Sequence, residues 1–403
     1  MKKLILSMIL VGATSLAFGQ KKVVRSAEKN FKSGDLATAM SEIEAAIANP
    51  ETSSDPATYL LKAKIQLKMF GTDSTNTMET LAKGEASLAT FNETFEMAGS
   101  NKEEGVGKEI YEGDILGVPD NLRPYSLETL KNVSYDKALE RYNEGEMDMA
   151  YEFFNLSSEI DKTDTLSNYN AAFIANDLGR FEDAKKHLNY LLEVPDYNGK
   201  INVYYMLIPI LSTEEKNPEA AYETVTRARA EFPEEKTFAE FEIQLLLQLN
   251  KMDEAMAQIQ EALKTDPNNT SILLRSGYLK EKSGDIDGAL ADYKKSVEVD
   301  PNFYEGNYYA GALMLEKSRS ILAELNSLPD DEWEKRSKSM GEEANQYYTD
   351  AIPYFEKALE LRPDDTDIMS ILYQVHVILK NDAEAEKYNK KLIELLGPNW
   401  MDR

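Results

Sequence analysis

Cysteine is absent from this sequence, and histidine and tryptophan each occur only twice. Without cysteine there is no disulfide framework, no thiolate nucleophile, no zinc–thiolate centre and no thiol for lipid attachment. The two histidines, His187 and His376, lie 189 residues apart, too far to be expected in one site of an elongated fold. Basic residues are also scarce: 45 Lys and Arg against 71 Asp and Glu leave a formal charge of −26. A chain this acidic repels phosphate backbones and anionic lipid surfaces, and no basic stripe stands out to support nucleic-acid binding. Beyond the N-terminus, the best apolar run is Val203 to Leu211, nine residues interrupted by Pro209, far short of a membrane span. With no disulfides to help, stability has to come from packed apolar surface.

The N-terminus is the exception to this polarity. Lys2 and Lys3 precede an apolar run from Leu4 to about Leu16, followed by Ala17, Phe18 and Gly19. A basic start, a short apolar centre and small residues at a cleavage site describe a secretory signal peptide. Residues 1–19 are expected to be removed, leaving a soluble exported chain, with the periplasm or outer envelope of a bacterium as its location.

What the rest of the chain has is a period. Alanines recur at Ala39, Ala150, Ala184, Ala221, Ala255, Ala289, Ala351 and Ala385, with intervals of 34 or 37 residues through the centre. Four residues after each of the first seven stands a larger side chain: Ile43, Phe154, Leu188, Val225, Ile259, Tyr293 and Phe355. Seven after, a small one is common, as at Ala46, Ser157, Ala228, Ala262, Ser296 and Ala358. These offsets place all three on one helical face. Five before the anchor comes Gly34, Gly145, Gly179, Asn250 or Gly284, residues suited to the left-handed end of a preceding helix. Twelve before, another small residue recurs at Ala27, Ala138, Ala172 and Gly277. Prolines at 50, 195, 233, 267, 301 and 363 close the units. Each unit therefore reads as two helices of which neither can bury its apolar face alone.

This pattern resembles the tetratricopeptide-repeat (TPR) superfamily, and with the leader it looks like an exported bacterial member. The resemblance implies an all-α, right-handed superhelical solenoid of stacked helix-turn-helix repeats. Ile243 and Tyr373 depart from the small residue the family prefers, and Asn389 replaces the large residue after Ala385. Such departures suit adjusted packing and a terminal cap.

Domain organisation follows. After the signal peptide come degenerate repeat units over 20–98, with helices around 55–70 and 77–98. An irregular Gly- and Pro-rich linker with at most one short helix occupies 99–126. The main array covers 127–316, and C-terminal units with a cap cover 347–403. Between the last two, 28 extra residues predict one elongated helical hairpin, with its insertion at 317–346. Split equally, 14 residues per helix add about 21 Å to each arm at 1.5 Å per residue. Its tip would carry Trp333 as a partner anchor beside Asp330, Asp331 and Glu332.

The resemblance further implies that the first helices line a concave groove that holds a peptide or partner helix. Projected through the repeat, that face includes Tyr135, Tyr142, Tyr169, Asn170, Phe173, Asn176 and Tyr204. Further along it includes Phe241, Gln244, Arg275, Tyr278, Tyr308 and Tyr309. Tyrosine offers apolar area with a hydroxyl, which suits recognition. Family members that clamp a C-terminal carboxylate use lysines, asparagines and an arginine on successive first helices. Asn170 and Arg275 match in part, but the lysine and second asparagine are missing, so a neutral or basic partner is expected. A tyrosine-lined groove also suits a cell-wall or surface glycan.

Catalytic signals are weak by comparison. Gly284 to Gly288 ("GDIDG") falls in a turn, where its aspartates cap a helix, and a calcium loop's remaining ligands are missing. "EGVGKE" lacks the spacing of a phosphate loop. No catalytic residue, cofactor site or metal site is expected, and the chain reads as a scaffold rather than an enzyme.

Overall fold

A computed structural model describes residues 21–115 and 122–402; the segment read as a signal peptide lies outside the described residues. No strand occurs among the described residues, which form helices and turns. The chain divides into two compact units between Ile210 and Leu211. In the first, residues 21–33 form α1, followed by α2 (Leu36–Ile47), α3 (Pro56–Thr72) and α4 (Met78–Met97). After the short α5 (Gly105–Ile110) come α6 (Leu127–Asn143), α7 (Met147–Ile160), α8 (Thr165–Asp177), α9 (Phe181–Glu193) and α10 (Lys200–Pro209). The second unit holds α11 (Pro218–Glu231), α12 (Lys236–Gln248), α13 (Met252–Thr265), α14 (Thr270–Lys282) and α15 (Ile286–Val299). It continues with α16 (Tyr304–Ser327), α17 (Asp330–Leu361), α18 (Thr366–Ile378), α19 (Asp382–Leu396) and a 3-10 turn, Trp400–Asp402. Within each unit the helices pack mainly on their neighbours in sequence, as in a solenoid.

The repeat's polar punctuation works as its chemistry requires. Gly34, Gly145, Gly179, Asn250 and Gly284 all have positive φ, between 56° and 87°. At each, the following N–H reaches back to the helix it leaves, as in Glu146 N to Arg141 O (2.9 Å) and Asp285 N to Lys280 O (2.8 Å). Lys216 and Lys380 hold the same left-handed position without being glycine or asparagine, with φ of 53° and 58°. Helix starts are capped by side chains, with Asp164 accepting from Leu166 N (3.0 Å) and Asn269 from Ile272 N (3.0 Å). Asp285 accepts from Gly288 N (3.0 Å), so the "GDIDG" turn is a helix cap.

The anchors are buried throughout, together with the large residues four positions on. The small residues opposite them are needed for space. A Cβ on Gly277 would lie 2.4 Å from the Tyr293 ring, and one on Gly311 would lie 2.8 Å from the Phe355 ring. Gly311 stands 34 residues after Gly277 while Phe355 stands 62 after Tyr293, so the pairing is kept across the insertion.

The expected long hairpin is formed by α16 and α17, with its turn at Leu328 and Pro329. The excess is not shared equally: α16 has 24 residues against 13 in α14, and α17 has 32 against 14 in α15. The cause is visible at Gln346, five residues before Ala351. Where other units turn, α17 runs straight through, so the repeat's second helix absorbs most of the insertion. Between 319 and 343 only Leu325 and Met340 are buried. Ser318 Oγ donates to the Ala344 carbonyl (2.8 Å) at the hairpin's base.

The irregular stretch 99–126 contributes one short helix, α5, and its described residues are tied to the first unit. Glu109 accepts from Lys64 (2.7 Å), and Tyr111 packs edge-on against Phe95. Arg123 and Asn132 both donate to a nearly buried Asp114 carboxylate, which holds its pKa down to about 2. A buried lysine, Lys137, joins the α3–α4 turn to α6 through the Asp73 carbonyl (2.6 Å) and Asn76 Oδ1 (2.7 Å).

Candidate functional site

In the first unit the predicted residues from Tyr135 to Asn176 lie on α6 and α8. Tyr135 on α6 accepts from Asn170 Nδ2 on α8 (3.2 Å) and meets Phe154 edge-on. These two predicted residues are thus brought together, although the bond occupies the groups a ligand would use. Tyr142 and Phe173 each remain 40% exposed, and Tyr169 and Asn176 are half-buried.

Tyr204 is a correction. It is 1% exposed, packed inward with Val203, Leu207 and Ile208 on α10, and lines no surface. The interval from Ala184 to Ala221 is 37 residues rather than 34, so a fixed projection slips along this short helix.

In the second unit, Tyr278 and Tyr309 are 38% and 40% exposed, Gln244 is exposed, and Phe241 is half-buried. Tyr309 stacks on buried Tyr293 (5.6 Å), and Tyr308 lies edge-on to both Tyr309 and Phe355. The Arg362 guanidinium sits 3.5 Å from the Tyr304 ring centre, and Tyr304 donates to Asp365 Oδ2 (2.9 Å). Arg275 donates to the Ser271 carbonyl (3.2 Å), and burial lowers its pKa despite Glu240 nearby. It is therefore poorly placed for a free carboxylate. Trp333 at the hairpin tip is 46% exposed.

The histidines have structural surroundings. His187 is fully buried, its Nδ1 3.0 Å from Asn168 Oδ1, and burial beside Lys186 lowers its pKa to about 4. His376 is stacked over Tyr388. Among the described residues no group of three or more His, Asp or Glu is arranged to hold a metal ion.

Lys21, Arg25 and Lys32 share a face of α1 with Glu28, all exposed, and Glu28 pairs with Lys32 (2.6 Å). Beside them, Lys64 and Lys68 on α3, Phe31 on α1, and Tyr125 line a cavity of about 660 Å³. The i, i+4 spacing of these cations was readable in the sequence. The presence of Tyr125 was not, because it arrives from the irregular segment.

Residues 214–270 match a family model described as a tetratricopeptide repeat, and residues 270–303 and 343–365 match a second of the same description. The gap between 303 and 343 contains the hairpin extension. The chain is 27% identical over 147 residues to "Interferon-induced protein with tetratricopeptide repeats 2" of Cricetulus griseus, covering 36% of this chain and 29% of that one. It is 26% identical over 198 residues to "Protein O-mannosyl-transferase TMTC3" of Homo sapiens, covering 45% and 21%. The chain spans less than a third of the length of these relatives. Among solved structures, the C-terminal part of a TPR repeat-containing protein from Cytophaga hutchinsonii aligns with 66% of this chain and 98% of its own, at 13% identity and a TM-score of 0.47.

Proposed function

This chain belongs to the tetratricopeptide-repeat superfamily, and we propose that it is a non-catalytic scaffold holding a partner protein or peptide in the bacterial cell envelope. The observation that carries the reading is a set of aromatic side chains left about two-fifths exposed on first helices in both units: Tyr142 and Phe173, then Tyr278 and Tyr309. Aromatic rings supply large contact area at little entropic cost, and such residues anchor interfaces. Exposed Trp333 at the tip of the long hairpin offers a second anchor. The envelope location is supported by the basic and apolar pattern of residues 1–19.

The test is affinity capture from the native envelope with residues 20–403, beside a version lacking 318–341. A third bait carries Tyr142→Ala, Phe173→Ala, Tyr278→Ala and Tyr309→Ala. A specific partner lost with the aromatic substitutions assigns the work to the first helices; one lost with the deletion assigns it to the hairpin. Failure to retain any protein, with sedimentation on purified cell wall, replaces the scaffold by a glycan-binding module.

A further inference from the structure

The turn between α9 and α10 differs from those that join the other repeat units. It runs over residues 194–199, where 161–164, 232–235 and 266–269 suffice elsewhere, and it contributes to the longer interval between Ala184 and Ala221. Asp164 and Asn269 end two of the shorter turns as side-chain caps. Helix α10 starts instead at Gly199, which has no side chain to cap with. The residue before it is Asn198, and the two form the chain's only Asn-Gly pair.

Both reacting groups of that pair are unengaged. The Asn198 carboxamide is exposed and makes no hydrogen bond among the described residues. Gly199 gives its carbonyl to α10, accepting from Asn202 N (3.0 Å) and Val203 N (3.2 Å). Its own N–H lies ahead of the helix and has no acceptor among the described residues. Glycine also carries no Cβ to shield that nitrogen. Comparable pairs elsewhere are held. Gly288 N, after Asp287, donates to Asp285 Oδ1 (3.0 Å). Asn326 is exposed and precedes small Ser327, but both lie inside α16, with their amides in the helix ladder.

We propose that Asn198 is a site of spontaneous deamidation and isomerisation in the folded chain. The Gly199 nitrogen attacks Asn198 Cγ, and the new C–N bond closes a five-membered succinimide. The Cγ–Nδ2 bond breaks, and Nδ2 leaves as ammonia with the proton from the Gly199 N–H. Water then opens the ring at either carbonyl, giving aspartate or isoaspartate, with one water consumed for each ammonia released. Aspartate sets a negative charge just ahead of an uncapped helix start, where the helix dipole favours it. Isoaspartate lengthens the backbone by one methylene beside Tyr197, whose hydroxyl would stand 2.3 Å from a Cβ on Gly199. The inference is independent of the scaffold reading: the start of α10 changes with the chain's age, whatever the chain binds.

The test is incubation of the full chain at neutral to mildly alkaline pH, with peptide mapping by mass spectrometry over days. An isoaspartate methyltransferase assay is run on the same samples. Asn198→Gln, shown to be folded by a thermal melt, and a synthetic peptide of residues 194–203 run alongside. Asn198 should convert before every other asparagine and yield methyl-accepting isoaspartate that Asn198→Gln lacks. Its rate should lie within about tenfold of the peptide's, a barrier difference of about 1.4 kcal/mol or less. A folded chain slower than that, conversion first at Asn326, or aspartate without isoaspartate would overturn the proposal.

Discussion

Trp400 Nε1 donates to Asn389 Oδ1 at 3.0 Å, and through that contact the end of the chain fills a place its last repeat leaves open. Asn389 stands where earlier units carry Phe355 or Tyr293, and Tyr373 stands where they carry glycine. Both departures converge on Trp400, which Tyr373 meets edge-on at 5.2 Å. Trp400, which belongs to no repeat, packs against the helix pair α18 and α19.

Replacing Trp400 with alanine should therefore loosen the last pair of helices by about 3 kcal/mol, the usual cost of deleting a buried aromatic. Hydrogen exchange should quicken across α18 and α19 and stay as before in α11 to α13. Unchanged protection in α18 and α19 would remove the capping role.

The same substitution should have opposite signs at two glycines. Gly277→Ala sets a methyl against the Tyr293 ring and should cost about 1–3 kcal/mol. Gly341→Ala lies in a helix with open space around it and should stabilise by about 0.5–1 kcal/mol. Urea denaturation decides both, and equal effects would discard the packing argument.

His187 makes stability depend on pH. Its Nδ1 faces Asn168 Oδ1, so the proton sits there, and buried Nε2 has no partner among the described residues. Protonating Nε2 would bury a charge with no acceptor, and the folded pKa falls from 6.5 to about 4. The folded state thus favours the neutral ring. The stabilisation is complete above about pH 6.5 and is lost as pH drops toward 4, on the order of 3 kcal/mol in all. Denaturant midpoints should fall across that window, and His187→Gln should flatten the fall. An equal slope in the variant would assign the effect elsewhere.

The two tryptophans should report separately. Trp333 is 46% exposed and Trp400 8%. With Trp400→Phe, the remaining emission should be red-shifted and readily quenched by acrylamide. With Trp333→Phe, it should be blue-shifted and protected. Similar quenching in both would mean that the hairpin tip is covered in solution.

The fold was legible because a stacked repeat writes one packing rule many times. The anchors, the large residues four positions on and the left-handed turns all follow from local spacing, and single misfits such as Ile243 do not blur it. The groove residues were less legible. Exposure depends on what lies opposite: a 37-residue interval turned Tyr204 inward, and Asn170 faces Tyr135 across two helices. An equal division of the excess misplaces the two helix lengths, although Pro329 within the inserted sequence already marks the turn between them. Tyr125 escaped because no period reaches an irregular segment.

The uninterrupted passage of α17 through Gln346 has a mechanical side. From Asp330 inward there is no turn to act as a joint until Pro353, whose ring removes one hydrogen bond beside the anchor Ala351. The arm is a rod with its soft point at the foot. A load at the tip would be delivered as torque to the layer around Ala351 and Phe355, with little of it spent in bending along the way.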